Sequence, residues 1–410
     1  TNNGEIVLQA QAGNVTVGIL KTGSTGTALI QASAAIVDAQ DDDSATSPES
    51  NLVGGQFQLV AGTTIGSAGH ALESEAAMIV LQTSAGSAYL NESDALQIGG
   101  LANFTWAQVD ALGASSDNNV TVAASTQIIG GNLVIKAGSR ATHTLTLASG
   151  VSASGNVRVE SLGNLSIQGN LSTTTGSLSA LAGATLSLGG TATVTALAAG
   201  ASVDLLAGSA GLSMQNGATV QAAATARLQS AGDMSLARVE ANQVGLIATG
   251  VISDAQAASA TTANIVTQQL SMQAAGLGQQ TNALELNTPL LSINAGASGA
   301  YLNTVGDVTL GTTSAMSASR IDLSGTTTTA PSVAAQSGLT STGAVVWTNT
   351  NTLGNDVIIA NAISGQSTVS VSTGGDLVMN ANLSATGGAL LHAGHDLSLS
   401  QITATAGSVV

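Results

Sequence analysis

GNVRVESLGNLSIQGNLSTTTGSLSALAGATLSLGG, residues 155–190, decides the fold. Within it apolar residues alternate with small polar ones: Val157 with Val159, Leu165 with Ile167, Leu186 with Leu188. Successive residues of a strand face opposite ways, so each short run gathers its Val, Leu or Ile on one side. Gly, Asn or Ala-Gly turns interrupt the runs every roughly 8–10 residues, a density that predicts an all-β chain. The rhythm continues through SVDLL at 202–206, GLSM at 211–214, TVQA at 219–222 and QVGLI at 243–247. It assigns Val157, Leu165, Leu178, Leu186, Val194, Val203, Leu212 and Val220 to the interior, and Leu377 and Leu397 further along.

Two or three such strands make a coil of about 20 residues. That period is visible directly where Asp-Leu stands at 376–377 and again at 396–397. A β-sandwich would need antiparallel hairpins and larger aromatics to fill a core two sheets deep. Recurrence at a fixed period favours coils stacked about 4.8 Å apart, like residue over like. The expectation is a right-handed parallel β-helix, a β-solenoid of about 20 coils. Longer irregular stretches at 38–56, 99–118 and 311–345 are expected to protrude as loops.

A coarser repeat contains the fine one. IVDAQ, NLV, ALE and AYLN, ending at Gln40, Val53, Glu73 and Asn91, return in order as ISDAQ, NIV, ALE and AYLN, ending at Gln256, Val266, Glu285 and Asn303. The offset between Ala88 and Ala300 is 212 residues. One continuous solenoid over 1–410 is expected, holding nearly two copies of this unit, roughly 13–230 and 231–410. A repeat nested in a repeat marks a stacked architecture. Both Thr1 and Val410 fall inside the rhythm, which predicts an interior piece of a longer chain.

Composition agrees. Aromatics are 1% and charged residues 7%, against about a quarter charged in ordinary domains, while hydrophobic residues reach 44%. Such a chain is too apolar for disorder and suits a core one side chain deep, filled by Ala, Val, Leu, Ile, Ser and Thr. Bulky aromatics are not expected inside it. The formal charge is −16, and the seven bases, Lys21, Lys136, Arg140, Arg158, Arg227, Arg238 and Arg320, are scattered singly along the sequence. That excludes a nucleic-acid footprint and disfavours attachment to anionic membranes. No apolar run approaches the length of a membrane span. Cysteine is absent, which suits an exported bacterial protein.

The phrases AGDMSLARV (231–239), STGGDLVMNANLSATGGALLHAGHDLSLS (372–400) and SLGNLSIQGNLSTTTGSLSALAGATLSLGG (161–190) resemble the repeat regions of filamentous-haemagglutinin-like large exoproteins. The resemblance is one of repeat style and covers nearly the whole chain. It implies giant bacterial surface adhesins folded as right-handed parallel β-helices. The function it implies is a structural and adhesive segment of a cell-surface or secreted exoprotein. Its partners would be a host or neighbouring-cell surface, or other copies of the chain. An alternative is a protomer of a self-assembling extracellular fibre or sheath, and a β-helical carbohydrate-active enzyme is a third, weaker reading.

Other constellations carry blander readings. Asp38, Asp41, Asp42 and Asp43, with Glu49, are weak candidates for calcium, which takes clustered carboxylates. The second copy keeps Asp254 but has Ala257 and Ala258 in place of Asp41 and Asp42, so the patch reads as a solvated loop. His392 and His395 with Asp396 have a metal-ligating spacing but no evident third ligand. Dispersed bases and the lack of a serine-nucleophile elbow argue against an enzyme. No cofactor is expected. Tyr89 and Tyr301, like Asn91 and Asn303, occupy matching repeat positions and are expected to fix a turn or stack; Trp106 and Trp347 have no counterparts, and one of them is a candidate exposed contact.

Overall fold

The computed structural model describes residues 4–40, 49–258, 262–328, 332–349 and 354–410. Among these there is no helix, and parallel strands stack in a β-solenoid of about 17 turns, roughly 22 residues apart. Contacts group the residues into two compact units. The first is drawn from Thr1–Leu186, Thr191–Ala198 and Arg320–Thr329; the second from Ser187–Gly190, Ala199–Ser319 and Ala330–Val410. These bounds follow contacts in space and differ from those of the two sequence copies.

In the first unit each regular coil contributes three strands. Val151–Ala153, Val157–Ser161 and Asn164–Ile167 make one coil, and each pairs in parallel register with strands of the coils around it. Leu133, Val157 and Leu178 thus stack in one column, and Ile135, Val159 and Ala180 in the next. Val151 stands over Leu171, which stands over Val194. Leu96, Leu145 and Leu165 form a third column. Each fully buried Leu, Ile or Val removes enough apolar surface to contribute roughly 1.5–3 kcal/mol. The outward residues of the same strands, Arg158 and Glu160 among them, stay in reach of water.

The second unit repeats the design. Val203–Ala207 pairs with Thr219–Ser230, and that strand in turn with Arg238–Ala248. Further on, Val345–Asn349, Val369–Thr373 and Ala389–Ala393 stack in unbroken register. The mean spacing exceeds the expected 20 because some coils carry wide turns: Phe57 stands 29 positions beyond its register partner Ala28. Where turns are short, the spacing returns to twenty, as between Asp376 and Asp396.

The recurrent Asp-Leu has a structural cause. Asp307 accepts the amide of Asp356, Asp356 that of Asp376, and Asp376 that of Asp396, each at 3.0 Å. One carboxylate per coil therefore satisfies the turn N–H of the coil beyond it. In the first unit Asn132 and Asn156 do the same, at 2.8 and 3.0 Å, for Asn156 and Ser177. A turn amide left unpaired away from water would cost about as much as a lost hydrogen bond, and the ladder removes that cost at the part-buried steps to Asp376, Asn156 and Ser177.

Two expectations need correction. Phe57 and Trp347 are wholly buried, so the interior does admit aromatics. Room comes from the register: Phe57 lies against Ala28 on one side, and the Trp347 indole N–H donates to Thr304 Oγ1 at 2.8 Å. Leu397 is 44% exposed, whereas the other nine interior assignments are at most 2% exposed. Its strand pairs on one side alone, over Leu377, so half of its surroundings are solvent.

Candidate functional site

Two antiparallel excursions belong to the first unit. Phe104–Val109 pairs with Ser115–Val120 to form a hairpin whose turn is closed by Asp110. The Asp110 carboxylate accepts the amides of Leu112 and Ala114 at 2.8 and 2.9 Å, and Gly113 takes the left-handed conformation such a turn requires. Thr105 and Asn119 bond across the strands at 2.8 Å. At the tip Val109 is 64% and Leu112 94% exposed, and Phe104 and Trp106 are half-buried on one face. Of the two tryptophans, Trp106 is the one that reaches the surface.

The second excursion is the tip Arg320–Ile321 and Thr327–Thr328, again antiparallel. Asp322 winds it: its carboxylate accepts Ser324 N at 2.9 Å, Ser324 Oγ at 2.6 Å, and Thr326 N and Oγ1 both at 2.9 Å. The Ser324 hydroxyl above all, then Thr326, holds this carboxyl below the usual carboxylate range. The tip is pinned to the coil face by four hydrogen bonds. Tyr89 Oη donates to Ser324 O at 3.1 Å and Asn156 Nδ2 to Gly325 O at 3.0 Å; Ile321 N donates to Ser179 Oγ at 2.9 Å, and Arg158 to Ile321 O. A Cβ on Gly325, whose φ is +77°, would lie 2.9 Å from Asn132 Nδ2 and 3.2 Å from Tyr89 Oη, so only glycine seats the turn this closely.

Pinning the tip creates two clefts that share Leu323, which is 46% exposed. One, about 380 Å³, is lined by Ser67, Tyr89, Asn91, Lys136 and Leu323. The other, about 450 Å³, is lined by Arg158, Arg320, Asp322 and Leu323. Three bases that are far apart in sequence thus converge, which linear spacing does not reveal. Arg158 is engaged by Glu160.

Buried carboxyls form a separate set. Asp38 accepts Gln40 N at 2.9 Å and Asn51 Nδ2 at 2.7 Å, and Asn51 Oδ1 accepts Glu73 N at 2.8 Å. In the second unit Asp254 accepts Gln256 N at 2.7 Å and Asn264 Nδ2 at 2.5 Å, and Asn264 Oδ1 accepts Glu285 N at 2.9 Å. The recurring sequence words IVDAQ, NLV and ALE therefore encode one buried polar corner, built twice. Burial, then the charge of Asp254, pushes the Glu285 carboxyl up to about 7. Burial likewise pushes Glu92 up to about 8, reinforced by the neighbouring Asp94 carboxyl and opposed by the Ser74 hydroxyl, which donates to Glu92 Oε2 at 2.5 Å.

Of the calcium candidates, Asp38 belongs to that corner, and Asp41, Asp42 and Asp43 lie outside the described residues. Glu49 accepts a hydrogen bond from Gln40 Nε2 at 3.0 Å. His392 and His395 are exposed, and Asp396 receives the turn ladder through its amide. Among the described residues no three His, Asp or Glu converge to hold a metal ion. Among the described residues no helix is long and apolar enough to cross a membrane. Tyr89 anchors the tip, while Tyr301 is half-buried at the matching position of the other copy. No protein-family model, no curated protein and no solved structure matches this chain.

Proposed function

We propose that the chain is a structural and adhesive segment of a large bacterial cell-surface or secreted exoprotein, a scaffold of stacked coils from which short hairpins present contact residues. The observation that carries this reading is the pairing of a continuous parallel stack with the outward hairpin Phe104–Val120. Val109 and Leu112 stand in solvent at its tip, where they support no core. Together with the half-buried Phe104 and Trp106 on one face of the hairpin, they offer an apolar contact surface. The likeness of the repeats to filamentous-haemagglutinin-like exoproteins supports the same reading. Beads coated with the purified chain should adhere to bacterial or host cell layers, and Leu112→Asp with Trp106→Ala should reduce that retention. Adhesion no greater than that of beads carrying an unrelated protein of similar charge would refute the reading.

A further inference from the structure

On a chain of net charge −16, three of only seven bases gather around one hairpin tip in the first unit. Lys136 and Arg158 project from adjacent coils, with Val134 facing Arg158 and Lys136 facing Glu160 in register, and Arg320 comes from the tip. The acids nearby are already engaged. Glu160 holds Arg158, and Asp322 is saturated by its own turn. Among the described residues Lys136 makes no ion pair, and it lines the cleft beside the Asn91 amide, the Ser67 hydroxyl, Tyr89 and Leu323.

This combination is specific in its chemistry. A cation without a carboxylate partner asks for an anion. Amide and hydroxyl groups at the rim suit a ligand rich in hydroxyls. Leu323, 46% exposed beside the buried Tyr89, gives an apolar surface against which the C–H face of a sugar ring can lie. Volumes of about 380 and 450 Å³ stand at the lower end of the roughly 300–1,000 Å³ typical of small-molecule sites, enough for a sugar unit on each side of Leu323. Three bases are too few for a polyphosphate track, which needs a longer basic stripe.

We propose that the paired clefts beside Leu323 bind a short acidic oligosaccharide, with a ring carboxylate on Lys136, hydroxyls on Asn91 and Ser67, and the chain lying across Leu323 toward Arg158 and Arg320. This names a partner class for the adhesive reading and rests on that reading for its biological setting alone. The site needs little reorganisation to bind, because four hydrogen bonds to the coils already hold the tip.

Calorimetric titration of the purified chain with trimannuronate, and with mannotriose as its neutral counterpart, tests the assignment. The acidic trisaccharide should bind at least about tenfold more tightly, the range of one charge-assisted hydrogen bond. Lys136→Gln should remove that preference, and Leu323→Ser should weaken both sugars. Both side chains are exposed, so circular dichroism of the variants should match the parent. Equal affinity for the two sugars, no binding of trimannuronate at millimolar concentration, or an unchanged preference in Lys136→Gln would each overturn the proposal. Lys136-dependent binding by a chain whose coated beads do not adhere to cells would uphold the clefts while removing the adhesive reading.

Discussion

Glu92 offers the sharpest test of how the coils of the first unit are held. Its carboxyl is 2% exposed, with Oε2 accepting from Ser74 Oγ at 2.5 Å and Ala76 N at 3.3 Å, and Oε1 from Asp94 N at 3.3 Å. Burial, with Asp94 alongside, raises it from 4.5 to about 8. The folded value lies above the unfolded one, so the folded state binds the extra proton between those limits. Its stabilising effect is complete below pH 4.5 and is lost as pH rises toward 8, with no further change above. At about 1.4 kcal/mol per pH unit, the loss amounts to at most roughly 5 kcal/mol. Glu92→Gln keeps the shape, accepts from Ser74 and Ala76 N through its carbonyl and can donate to the Asp94 carboxylate at the loss of the 3.3 Å bond from Asp94 N, but does not titrate. Stacked coils open locally, so the readout should be local: amide hydrogen exchange of Leu72–Glu92 and Thr126–Ala137 at pH 5, 7 and 9. In the parent, protection factors corrected for intrinsic rates should fall between pH 5 and 9. In Glu92→Gln they should stay level and exceed the parent's at pH 9. Parallel pH profiles in the two proteins would show that some other group titrates and would refute the argument.

Other consequences are open to direct measurement. Glu285 should add a second, smaller loss of protection in Leu284–Asn287 between pH 4.5 and about 7, absent in Glu285→Gln. Leu186 is fully buried, so Leu186→Asp places an unpaired carboxylate in the interior at a cost of several kcal/mol; limited proteolysis should gain a new cleavage near that coil, and an unaltered digest would contradict the interior assignment. The buried pair of Arg227 and Asp204, 2.7 Å apart, predicts that Arg227→Ala destabilises by about 3–5 kcal/mol in urea unfolding, while Arg227→Met with Asp204→Leu recovers most of the loss. Leu112→Asp, at an exposed hairpin tip, should leave the unfolding midpoint unchanged within about 0.5 kcal/mol while reducing bead adhesion.

Much of the architecture is legible in the order of residues because a solenoid is close to one-dimensional. Each coil buries its apolar face against the next, so the alternation in NVRV or NLSI is repeated at the period of the coil and shows in the sequence itself. The nine deeply buried assignments from Val157 to Leu377 follow from that alternation alone. Of the three stretches expected to protrude, 99–118 and 311–345 do carry antiparallel pairs, whereas 38–56 runs into the strand Leu52–Ala61 and 311–345 into Leu339–Ser341, both paired in parallel within the stack. The full burial of Phe57 and Trp347 was not legible, since room for a ring depends on which residue stands in the neighbouring coil.

What the amino-acid order determines here is therefore local and periodic: all-β coils, inward Val and Leu, turns closed by Asp and Asn. The tertiary structure alone decides where the excursions land. Lys136, Arg158 and Arg320 read as isolated bases along the chain, yet a tip pinned by Tyr89, Asn156 and Ser179 brings them around Leu323. Likewise, Asp254 and Glu285 lie 31 positions apart in sequence and share one corner because a coil separates them. Stacking repeats itself and so leaves a trace in sequence; a loop docking on a distant coil happens once, through contacts between residues that no period relates.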